Sequence, residues 1–129
     1  MYIHGFAQMY SVLYYVRANK TSTLKGGRLL IGASLGLQSM EVLEKLCGTS
    51  VYLDTSLSAI RRARSAVQGQ ACGDILRAHD PSRILFATDT PWSDPAAEIA
   101  FVRSAGLPEE ITEMVLHKNA ETLLASCVQ

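Results

Sequence analysis

Arg83-Ile-Leu-Phe-Ala-Thr-Asp-Thr-Pro-Trp92 decides the fold. Residues 83–88 are mostly apolar and β-prone. Asp80-Pro81-Ser82 precedes them and Asp89-Thr90-Pro91 follows, so the run reads as a strand with sharp ends. Its apolar residues are continuous rather than alternating. That is the pattern of a strand covered on both faces, as in a parallel sheet.

Moving outward, residues 28–33 form a similar short apolar run, and residues 50–54, Ser-Val-Tyr-Leu-Asp, a third. Helical spacing fills the gaps between them. Ser39 is placed to cap a helix that uses Met40, Leu43 and Leu46 and stops near Gly48. Residues 69–79 read as a helix on Ala71, Ile75 and Leu76, with 57–68 left unassigned. Asp94 caps another, with Pro95 at its first position and Ile99, Phe101 and Val102 inward, ending at Gly106. A further helix runs from Leu107 to about His117. Asn119 then caps a last one that buries Leu123 and Leu124. Residues 6–18 read as an amphipathic N-terminal helix, followed by a polar loop over 19–27. This alternation specifies an α/β fold built of βαβ units around parallel strands, in one domain over 1–129.

Composition narrows the function classes. Twelve basic residues balance twelve acidic ones, so no electrostatic ground exists for nucleic acid or an anionic membrane as partner. Arg61, Arg62 and Arg64 read as a solvated face in preference to an anion patch. Cys47, Cys72 and Cys127 are widely spaced and odd in number, which fits reduced thiols and a cytoplasmic location. The N-terminal stretch lacks a basic region and a small-residue cleavage site, and it is too short and interrupted to span a bilayer.

Chemistry in parallel α/β structures sits at the C-terminal strand ends. Those ends carry Ser34, Asp54-Thr55-Ser56 and Asp89-Thr90-Pro91-Trp92. Asp89 directly follows the most apolar strand. It is either a reactive carboxylate suited to general-base or metal work, or the first residue of a structural turn. Asp54 fits a turn bonded to Thr55 or Ser56 better than a reactive role. Trp92 lines a substrate pocket or simply packs. His79 belongs to the opposite rim, and His117 ends a helix where its charge suits the dipole. His4 ends a strand remnant at the active rim or lies in a frayed terminus.

Together these motifs resemble the amidohydrolase superfamily, in particular the amidohydrolase-related, TatD-like metal-dependent hydrolases. Ile84–Trp92 resembles their "ILFGTDxPW" segment, and Asn119-Ala-Glu-Thr-Leu-Leu124 their "NAxxLL". Val51–Ser56 resembles "VYFDTS", and Arg28–Leu46 the strand and helix bearing "AHxGG". The similarity covers residues 28–125. It implies a partial (β/α)8 TIM barrel, with about three C-terminal βα units and an uncertain N-terminal piece over 1–27. It also implies a hydrolase acting on a small-molecule substrate, with zinc or manganese as cofactor. Asp89 would be metal ligand and general base, His4 a second ligand, and Trp92 and Ser34 substrate contacts. The chain departs from the pattern in three residue features. The family's H-x-H pair is missing, Ser34 stands where its histidine would be, and Leu37 where its second glycine would be. The alternative is therefore a catalytically inactive, metal-free half-barrel, a homo-oligomer or interaction remnant that covers its exposed strand edges by association.

Overall fold

A computed structural model describes residues 32–36 and 38–127. The expected helix over 6–18 and His4 lie outside the described residues. The architecture is α/β. Three short strands, β1 (Gly32–Ser34), β2 (Tyr52–Asp54) and β3 (Ile84–Leu85), form one parallel sheet in the order β1-β2-β3. Ala33, Leu53 and Ile84 lie in register, as do Ser34, Asp54 and Leu85. Helices α1 (Met40–Leu46), α2 (Ser58–Arg64) and α3 (Ala66–Ala78) make the crossovers, and α4 (Pro95–Ser104) follows β3. The chain then enters α5 (Glu109–Glu113), a π-helical turn (Met114–Lys118) and α6 (Asn119–Cys127).

Local signals explain most boundaries. Ser39 Oγ accepts from Val42 N at 3.3 Å, and Asp94 accepts from Ala96 N at 3.2 Å with Pro95 next to it. Gly48 and Gly106 take positive φ after α1 and α4, where a side chain would be strained. The segment 57–68 becomes α2 and the start of α3, joined at Ser65, whose hydroxyl accepts from Gln68 N. Leu35, Leu43, Leu53, Cys72, Leu76, Ile84, Phe101, Val102 and Val115 form the core between sheet and helices.

Five sequence expectations need correction. The strand expected over 83–88 pairs as a ladder only at Ile84–Leu85. Beyond it, Thr55 Oγ1 holds both Ala87 N and Ala87 O at 3.1 Å, and Phe86 N donates to Val115 O at 3.1 Å. The Thr55 hydroxyl thus continues the contact on the β2 side, while the Val115 carbonyl meets the edge of β3 that faces away from β2. Ile99 is 37% exposed, because Glu98, Phe101, Val102 and Ala105 occupy the inward stripe of α4. Leu124 is 66% exposed. Asn119 does not cap a helix. The helical path is continuous there, and its Nδ2 donates to Pro81 O at 2.6 Å and Ile84 O at 2.8 Å. His117 likewise sits within the continuing helical path rather than at its end.

Candidate functional site

The C-terminal rim of the sheet is continuous. Leu35 N donates to Asp54 O, Gly36 N to Ser56 O and Thr55 N to Leu85 O, at 2.9–3.0 Å, so parallel pairing persists past the strands into the loops. Gly36 is needed here, since a Cβ would lie 2.4 Å from the Leu57 backbone carbonyl carbon and from Ser56 O. Arg61 locks the β1–α1 loop from the side. Its Nε donates to Gly36 O at 3.2 Å, and its guanidinium also reaches Gln38 O. Arg61 is therefore neither a solvated face nor an anion patch, and Arg62 stacks over the Phe101 ring at 5.2 Å.

Ser34 and Asp54 meet on this rim through Ser56. Asp54 Oδ1 accepts from Ser56 N at 3.0 Å and from the Ser56 hydroxyl. Ser34 Oγ lies 2.9 Å from Ser56 Oγ and 3.0 Å from Ser56 O. Ser34, Asp54 and Ser56 are all buried. This is the turn expected for Asp54, and it directs the Ser34 hydroxyl into internal bonds. Asp89 lies two residues past Ala87, which Thr55 pins beside the end of β2, so it belongs to the same rim. It is half-buried and has φ of 63°, a left-handed conformation that aspartate tolerates better than most residues. Trp92 N donates to Asp89 O at 2.8 Å and closes a turn containing a cis Thr90–Pro91 bond. Trp92 itself is 75% exposed.

Behind that turn lies a carboxylate whose role the sequence did not reveal. Glu98 is fully buried, with a relative exposure of 0%. It accepts from Ser93 Oγ at 2.6 Å, Ser58 Oγ at 2.8 Å and Ala59 N at 3.1 Å. Leu57 at the start of α2 makes no side-chain cap, so Glu98 supplies one from α4 and places negative charge at that helix N-terminus. It thereby ties the loop after Asp89 to the loop after Asp54. The available signal was a charged residue on the buried stripe of α4, three and four positions before Phe101 and Val102.

The remaining polar groups fall elsewhere. His79 is buried at the opposite end of the strands, where Nδ1 accepts from Gly48 N at 3.0 Å and Nε2 donates to Val51 O at 2.8 Å. That is the structural role and the rim expected from sequence. His117 lies between Glu121 and Glu113, at 2.8 and 3.0 Å; their hydrogen bonds and charge raise its pKa above 6.5. Burial pushes the Cys72 thiol up against the opposing effect of Arg61, so it stays protonated and unreactive.

Among the described residues, no three His, Cys, Asp or Glu side chains gather in a way that could hold a metal ion. The described rim alone therefore does not fit the metal that the family resemblance implies. No described helix is long and apolar enough to cross a membrane. No protein-family model matches the chain, nor does any curated protein or solved structure.

Proposed function

We propose that this chain is the C-terminal βα portion of a (β/α)8 hydrolase of the amidohydrolase type, working in the cytoplasm on a small molecule. Asp89 is its water-activating carboxylate. One observation carries this reading: Asp89 stands on the rim formed by the C-terminal ends of parallel strands, where such folds place their chemistry. The sequential order β1-β2-β3 supports an arc of a barrel, and it equally suits one half of a doubly wound sheet. In this role Asp89 accepts the proton of an attacking water. Ser34 and Trp92 would border the substrate. A zinc or manganese ion would need ligands beyond the described residues, His4 among them.

A second reading, a catalytically inactive half-barrel that self-associates, is favoured by one specific feature. Ser34, in the place of the family's histidine, is bonded internally to Ser56. Purified protein assayed for metal content and ester or amide hydrolysis separates the two. Hydrolysis that survives washing and falls by about 100-fold or more in Asp89→Asn supports the enzyme. Metal-free protein that takes up none on titration and shows equal background rates in both forms refutes it.

A further inference from the structure

A second polar site lies on the helical layer, away from the strand-end rim. A cleft of about 220 Å³ opens between α3 and α4. It is smaller than the roughly 300–1,000 Å³ typical of organic-ligand pockets, which suits it to a small ion or one terminal group. Two arginines from different helices border it, Arg62 of α2 and Arg77 of α3.

Both guanidiniums are held in place. Arg62 stacks on Phe101 and donates from Nη1 to Ser104 Oγ at 2.7 Å. Arg77 donates to Ala105 O at the end of α4 and pairs with Asp74. Asp74 thus offsets the charge of Arg77. Among the described residues, Arg62 has no carboxylate within ion-pair distance. One positive charge is therefore left over at the cleft. Gly69 and Gly73 line the α3 side with backbone, beside the side chains of Gln70 and Arg77. A Cβ at Gly69 would stand 2.6 Å from Arg62 Cγ, showing how closely the arginine stem is seated.

We propose that this cleft binds a phosphate group, either free phosphate or the terminal group of a phosphomonoester. Stacking fixes the plane of the Arg62 guanidinium and lowers the entropy lost when its N–H fork meets an oxyanion. Arg77 lines the same cleft, and the N–H groups it does not spend on Ala105 O and Asp74 form a second set of donors. Phosphate suits the site better than a carboxylate because it offers more acceptor oxygens to the donors that the two arginines bring to the cleft.

Phosphorus NMR titration at constant ionic strength tests this, with inorganic phosphate and phenyl phosphate as probes and chloride as competitor. Arg62→Gln removes the unpaired charge but also its stacking. Gln70→Glu serves as the second variant, because Gln70 is exposed at the cleft and the change adds a repelling carboxylate while keeping both arginines. Saturable phosphate binding that weakens at least about tenfold in both variants, with unchanged circular dichroism, supports the site. Tighter binding of phenyl phosphate identifies an organic phosphomonoester as the ligand, and equal binding identifies free phosphate. No saturation by about 50 mM, equal competition by chloride, or undiminished binding in the variants overturns it.

Discussion

Glu98 offers the sharpest test of how the rim is held together. Its carboxylate is fully buried and accepts from two hydroxyls and one backbone N–H. Glu98→Ala removes all three acceptances together. The Ala59 N–H is left buried without a partner, at about 1–3 kcal/mol. Ser58 keeps its bond to Thr55 O at 2.6 Å, so its share is small, whereas Ser93 is buried and loses its acceptor at about 1 kcal/mol. The vacated Cγ methylene adds about 1 kcal/mol. The expected loss is about 3–5 kcal/mol, a large fraction of the 5–15 kcal/mol typical of a domain. Glu98→Gln retains the volume and one acceptor oxygen and should lose only about 1–2 kcal/mol. Urea unfolding followed by far-ultraviolet circular dichroism measures both, since Trp92 is too exposed to report burial by fluorescence. A Glu98→Ala loss below about 0.5 kcal/mol, or equal losses in the two variants, would refute the trans-capping argument.

Other sites give independent expectations. Gly69→Ala forces a Cβ to 2.6 Å from Arg62 Cγ and should destabilise by about 1–3 kcal/mol despite the better helix propensity of alanine, as read from the urea midpoint. Asn119→Ala frees the carbonyls of Pro81 and Ile84 and should cost about 1–3 kcal/mol, with faster amide exchange in the helix that covers β3; unchanged exchange would contradict the edge-sealing role. His117 has a raised folded pKa, so its stabilising contribution is complete below about 6.5 and is lost as pH rises through the folded value. The Glu113 pKa is lowered, chiefly by the hydrogen bond from His117, so its contribution runs the other way and fades in acid. Unfolding midpoints of the protein relative to His117→Ala should therefore fall on raising pH from neutral, and parallel curves would refute the pairing. Cys72 should resist thiol reagents until the protein unfolds, and labelling at the native rate of a free thiol would show that its burial is not maintained.

The local pattern was enough to place the sheet. Apolar runs bounded by Asp, Pro and Gly mark β2 and β3 near their observed positions, because burial on both faces leaves its trace in contiguous residues. Ser39 and Asp94 announce their helices, since capping acts within one turn. Asp89 and Asp54 could be assigned to one rim by counting strand ends, and the expected Asp54 turn is present.

Tertiary structure decided what those groups are bonded to. Glu98 finds Ser58 40 positions away, and Asn119 finds Ile84 across 35, so no window of neighbouring residues encodes either contact. Arg61 belongs by charge to a solvated run, yet it locks a loop 25 positions back in the chain. Thr55 and Val115 give β3 its later partners and shorten a strand that looks longer in sequence. The physical reason is common to all of these. Hydrophobic periodicity is set by each residue's own environment, whereas a buried polar group must find its partner wherever the packed chain brings one within 3 Å or so.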